Sequence, residues 1–239
     1  MAHIDYHAIL RAGEHATSCC PVCSFLATAE EQYFQSMLYS WIGTEGFQDR
    51  FLSRDGFCTR HRKRFAQHGD GVAAAMLYGP LMTHRRRWMK ELQSPSWFRF
   101  VTRHRSKSLA IEAGRRAFFR GITGNVQGDC PVCIQRRQWE VSFLTNLSRH
   151  GSGAIPEAME LREVYTRGPG LCMPHYAQLC ALRLPIPPWL ATFQEAREEA
   201  VYQELEQYIT AIQEGRRVAS GAPWQELLSY MEGWDEAKE

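Results

Sequence analysis

The strongest constraint in this chain is a donor set that occurs twice in the same order. Cys20-Pro21-Val22-Cys23 recurs word for word as Cys130-Pro131-Val132-Cys133. The first is followed by Gly56-Phe57-Cys58-Thr59-Arg60-His61 and the second by Gly170-Leu171-Cys172-Met173-Pro174-His175. Each copy therefore reads C-P-V-C and then G-[F/L]-C-x-x-H, with 34 or 38 residues between the second and third cysteines. The agreement extends to apolar positions. Ten residues past the second cysteine stand Tyr33 and Phe143, fourteen past it Met37 and Leu147, and seven before the third cysteine Phe51 and Tyr165. Matching side chains at matching offsets point to one folding unit used twice.

The spacing suits a metal ion. C-x-x-C puts two sulfurs on one side of a turn, and the proline inside it fixes φ and removes one N–H. C-x-x-H places a thiolate and an imidazole on one helix face, and a glycine two residues earlier lets the chain turn sharply into that helix. Three thiolates and one imidazole make a closed tetrahedral zinc set, whose binding supplies on the order of 10–16 kcal/mol of folding free energy. The expected sets are Cys20, Cys23, Cys58 and His61 for one ion, and Cys130, Cys133, Cys172 and His175 for the other. An iron–sulfur cluster can use the same ligand types. A redox dithiol needs a βαβ setting, which the flanking helical patterns do not provide, and it leaves both C-x-x-H halves unexplained.

These eight positions absorb six of the eight cysteines in the 239 residues. Cys19 and Cys180 fall outside the repeat and are expected to be ordinary core or surface thiols. Among the remaining histidines, His84 fits a face with Leu77, Leu81 and Trp88 and is expected to pack there. A chain of this length needs no disulfides to be stable. The N-terminus shows no secretory pattern, and the uncharged run Gly71 to Thr83 is too short to cross a bilayer. The expectation is a cytoplasmic protein with reduced thiols and no membrane association.

The formal charge of +2 conceals a segregated distribution. Residues 1–59 carry a net −4, residues 60–137 a net +13 and residues 138–239 a net −7. The basic segment Arg60 to Arg137 includes the runs Arg99 to Lys107 and Arg115 to Arg120, interleaved with Trp97, Phe98, Phe100, Phe118 and Phe119. One reading is a face that meets the acidic last third of the same molecule; the other is contact with nucleic acid or another polyanion.

Outside the motifs the periodicity is helical throughout, and no alternating strand pattern of useful length appears. The expected class is all-α, a pseudo-duplicated helical protein in which two Cys3His sites pin helix ends. Its expected parts are a first metal-binding repeat (1–92), a basic connector with one helix at about 106–120 (93–128), a second repeat (129–187) and C-terminal helices (188–239). Apolar stripes are expected on Phe25, Leu26, Ala29, Tyr33, Met37 and Trp41; on Val72, Met76, Leu81, Trp88 and Leu92, with a kink at Pro80; and on Leu190, Phe193, Ala196, Ala200, Leu205, Tyr208 and Ile212. A short helix with Phe47 and Phe51 ends near Gly56, and a last one follows Pro223.

The two motifs, the stretch Glu204-Leu205-Glu206-Gln207-Tyr208-Ile209 and Ala222-Pro223-Trp224 together resemble a bacterial family of unknown function. In that family a C-P-x-C … G-[FL]-C-x-x-H unit occurs twice. The resemblance implies duplication and metal binding and brings no activity with it. Three functional expectations follow: a binding or structural protein with two zinc ions, an iron–sulfur redox or sensor protein, or a metalloenzyme with one open site and a base such as Glu31, Asp55 or Asp129 beside it.

Overall fold

The computed structural model describes residues 4–16, 19–93, 130–216 and 223–233. The connector's expected helix and its basic and aromatic runs, together with Asp129, lie outside the described residues, as do the side chains of Trp88, Leu92 and Trp224. Among the described residues the protein is all-α. The helices are α1 (Tyr6–His15), α2 (Pro21–Ser36), α3 (Glu45–Ser53), α4 (Thr59–Gln67), α5 (Gly71–Gln93), α6 (Pro131–His150), α7 (Pro156–Arg167), α8 (Met173–Ala181), α9 (Pro188–Gln213) and α10 (Pro223–Glu232). A π-helical turn, Met37–Trp41, extends α2. No helix of the described residues is long and apolar enough to cross a membrane.

Both copies of the motif follow one plan. A long helix starts at the first knuckle (α2, α6), a shorter one returns (α3, α7), a glycine turns the chain, and a third starts at the C-x-x-H (α4, α8). The turning glycines have left-handed backbones, Gly56 at φ +87° and Gly170 at φ +71°. Side chains at the matched apolar offsets are buried: Met37 and Leu147, Phe51 and Tyr165, and Phe143, with Tyr33 packed against the core that holds Met37 and Phe51.

Compactness divides the chain differently from the motif. One unit comprises Met1–Ala29 with Arg137–Glu239, the other Glu30–Arg136, so the boundaries fall inside α2 and inside α6. The first unit packs α1 against α7, with Tyr165 donating its hydroxyl hydrogen to the Ile9 carbonyl at 3.2 Å. Its α9 lies against α7 and α10, and α10 also meets α8. The second unit is built on Phe34, Met37, Phe47, Phe51, Phe57, Phe65, Leu77 and Leu81.

The expected stripes hold in part: Leu26, Ala29 and Met37 in α2, Leu81 in α5 and Leu190 in α9 are buried, while other positions differ. In α2 the fully buried ring is Phe34, while Trp41 is 39% exposed in the π-turn, because the wider turn shifts the register of everything after it. In α5 the buried line is Ala73, Leu77 and Leu81; Val72 and Met76 face outward, and His84 is exposed rather than packed. In α9 the buried line is Leu190, Gln194 and Val201, while Ala196 and Ile212 are exposed. Gln194 belongs there because it is a clamp. Its Oε1 accepts from the Leu171 N–H at 3.2 Å and its Nε2 donates to the Leu171 carbonyl at 2.7 Å, satisfying both backbone groups of a buried turn.

Two glycines separate backbone strain from packing. An alanine at Gly170 would place its Cβ 2.9 Å from the Phe193 ring, whereas Gly69, at φ +66°, has nothing within 4 Å. Gly69→Ala should cost only the left-handed backbone penalty, about 1–2 kcal/mol. Gly170→Ala should cost that and roughly 1–3 kcal/mol more for overpacking. Urea-unfolding midpoints of the two variants check the difference.

Candidate metal centres

All eight donors meet in two clusters, but the partners are exchanged relative to the expectation. Site A joins Cys20 and Cys23 to Cys172 and His175, and site B joins Cys130 and Cys133 to Cys58 and His61. Each knuckle thus closes with the C-x-x-H of the other repeat. Within each cluster the donor atoms all lie within 4.8 Å of one another.

Helix starts build the sites. The knuckle is the first turn of a helix, with the Cys20 and Cys130 carbonyls accepting from the Ser24 and Ile134 N–H groups at 3.0 and 3.1 Å. Cys58 and Cys172 occupy the N-cap positions of α4 and α8 with extended backbones, and their carbonyls accept from Arg62 and Tyr176. Every donor therefore sits at the residue before a helix or at its third position, and two helix N-termini point at each cluster. Their partial positive charges favour thiolates.

The distances suit one tetrahedral ion. In a tetrahedron with zinc-type bond lengths, sulfurs stand about 3.8 Å apart and sulfur and nitrogen about 3.6 Å apart. In site A, Cys23 and Cys172 Sγ are 3.8 Å apart, and His175 Nδ1 lies 3.5 Å from Cys20 and Cys23 and 3.0 Å from Cys172. In site B, Cys58 and Cys133 Sγ are 3.7 Å apart, and His61 Nδ1 lies 3.2, 3.5 and 3.3 Å from Cys58, Cys130 and Cys133.

Charge in the clusters is frustrated without a central cation. Hydrogen bonds from Cys172 and Cys20 pull the Cys23 thiol far down, and those from Cys130 and Cys133 do the same to Cys58. Burial pushes Cys20 up, and hydrogen bonding to Cys133 and Cys58 pushes Cys130 up. Burial works against charge on His61 and His175, yet hydrogen bonding to Cys133, Cys58 and Glu30, and to Cys172 and Cys23, outweighs it and raises both to about 10. A dication coordinated by all four atoms replaces that shared-proton arrangement with a single counter-charge.

Two carboxylates absent from the sequence reading complete the sites. His61 turns Nε2 toward Glu30 Oε2 at 3.6 Å, and His175 turns Nε2 toward Glu140 Oε1 at 3.4 Å. Each glutamate lies seven residues past the second cysteine of its own repeat, the same kind of matched offset that marked the apolar positions. Such carboxylates orient ligating histidines. Glu30 is fully buried and also meets Arg60, Arg64 (2.7 Å) and Arg136. Burial opposes its ionisation, but His61, Arg136 and Arg60 hold its carboxyl down at about 2. Three charges of the basic segment are thus used inside the protein, on Glu30 rather than on the acidic last third.

Of the bases considered for an open site, Asp55 and Glu31 are among the described residues, and both have partners. Asp55 pairs with Arg85 at 3.0 Å, and Glu31 faces Arg64 and His68. Cys19 is partly buried and Cys180 exposed, both outside the clusters.

A family model described as a family of unknown function, DUF6062, matches residues 12–184. The chain belongs to that family. This DUF6062 match takes in both knuckles, both C-x-x-H motifs and the connector, and it stops before α9 and α10. No curated protein and no solved structure matches the chain significantly.

Removing the Glu30 carboxylate takes a buried partner from three arginines and a histidine. Glu30→Ala should destabilise the protein by about 3–5 kcal/mol, whereas Glu31→Ala, at a side chain 42% exposed, should stay within about 0.5 kcal/mol. Denaturant titration of both variants checks this.

Proposed function

We propose that this family member is a two-zinc protein whose ions clip the two repeats together, with Cys20, Cys23, Cys172 and His175 binding one and Cys58, His61, Cys130 and Cys133 the other. The observation that carries this reading is the pair of four-donor clusters with the edge lengths of a single-ion tetrahedron. A polynuclear iron–sulfur cluster distributes its terminal ligands over different irons. That arrangement spreads the donors further than these clusters allow, so the compactness favours one ion per site. Three thiolates and an imidazole leave no coordination position for substrate, which favours a structural role over an enzymatic one. The histidines coordinate through Nδ1, with Nε2–H directed at the glutamates.

Purified protein should be colourless and contain two zinc ions per chain, with chelation lowering its unfolding midpoint. Iron with visible absorption, or no metal at all after reconstitution, would overturn the assignment. The exchanged pairing has its own test. Cys20→Ser with Cys172→Ser removes two ligands of one site and should leave one zinc per chain. Cys20→Ser with Cys58→Ser injures both sites and should leave none tightly held. The reverse outcome would restore pairing within each repeat.

A further inference from the structure

The two clusters have the same donors but different covers. In site A all four donors are buried, and Gly233 lies directly over two of the sulfurs. A Cβ at that residue would stand 3.3 Å from Cys172 Sγ and 3.4 Å from Cys23 Sγ, and the backbone there is left-handed at φ +73°. The segment is held in place through α10. Tyr230 is buried and its phenolic oxygen accepts from Gln194 Nε2 at 3.3 Å, and the same Gln194 clamps Leu171, the neighbour of ligand Cys172.

Site B is different. Cys58, His61 and Cys130 are buried, but Cys133 is only partly so. Arg136 stands one turn further along the same helix, and it joins Arg60 and Arg64 around the carboxylate that faces His61. A partly exposed sulfur can be reached by a small solute, whereas buried structural ones stay inert.

We propose that the two centres have divided roles: site A is a sealed structural clamp, and site B is a peroxide-reactive zinc centre at which Cys133 is the residue attacked. The inference rests on the two-zinc reading. The Cys133 sulfur gives its electron pair to one peroxide oxygen; an S–O bond forms, the O–O bond breaks, and the departing hydroxide takes a proton from solvent to become water. The Cys58 thiolate, 3.7 Å away, then attacks the oxidised sulfur. An S–S bond forms, the S–O bond breaks, and the second oxygen leaves as water after protonation. Two thiolates have lost two electrons, one peroxide has become two waters, and the zinc has lost two of its four ligands and dissociates.

The test uses the full chain carrying Cys19→Ser and Cys180→Ser, which removes the two thiols outside the clusters, loaded with zinc and exposed to limiting hydrogen peroxide. Zinc release is followed with a metallochromic indicator and the oxidised cysteines are mapped by mass spectrometry. One zinc per chain should leave at least about tenfold faster than the other, with a Cys58–Cys133 disulfide and intact Cys20, Cys23 and Cys172. Tyr230→Ala, which loosens the cover of site A, should speed the slow release and leave the fast one unchanged. Equal release rates, first loss from site A, or a first modification mapping away from Cys133 would overturn the division of roles. A chain that never holds zinc would instead overturn the two-zinc reading itself, and the metal content measured before peroxide is added separates the two failures.

Discussion

Four donors from helix starts have to close one small tetrahedron, and the topology of the described chain follows from how that closure is met. Each centre joins residues far apart in sequence: Cys23 and Cys172 are separated by 149 positions, and Cys58 and Cys133 by 75. Closure within a repeat would have spanned 35 or 39 positions. Each doubling of a loop costs only about 0.6 kcal/mol of chain entropy. The exchange thus adds about 1 kcal/mol per site, small beside the ~10–16 kcal/mol a structural zinc supplies. Entropy does not forbid the longer closures, so geometry decides.

The geometry is set by helix lengths. In the first repeat, α2 and its π-turn carry the chain from the knuckle to Trp41, and the nine-residue α3 brings it back. Nine residues retrace about 14 Å at 1.5 Å each. From Trp41 that distance reaches the level of Glu30, two turns short of the first repeat's knuckle. The second repeat behaves alike. Twelve-residue α7 returns about 18 Å along the 20-residue α6, and its C-x-x-H arrives at Glu140. What awaits the arriving histidine is a carboxylate from its own outgoing helix.

The donors were legible because their spacing is local: C-x-x-C and C-x-x-H are fixed by one turn of helix, whatever the rest of the chain does. The all-α class and the Gly56 and Gly170 turns were legible for the same reason. Pairing was not, because it depends on where a return helix ends, and motif spacing carries no such length. Glu30 was passed over because a lone glutamate on a helix reads as solvated surface, although its +7 offset is shared with Glu140. Gln194 was missed because apolar periodicity counts hydrophobic positions, and a buried amide serving an unpaired backbone turn looks like a defect in the stripe. In α5 and α9 the expected stripe follows apolar residues at helical spacing. The observed face instead includes Ala73 and Gln194, set by what lies opposite.

Two equal donor sets sit in surroundings that differ. Glu30 is fully buried and ringed by Arg60, Arg64 and Arg136, whereas Glu140 keeps 16% of its side chain in water. A dication held by three thiolates would leave a net negative charge, which the arginines around Glu30 would offset at site B and which site A would leave to its helix starts and its cover. Cations offset the charge on buried carboxylates and thiolates without excluding solvent, while a glycine seated on two sulfurs excludes solvent without adding charge. The same four donors thus lie under a backbone cover in one cluster and beside a buried charge network in the other.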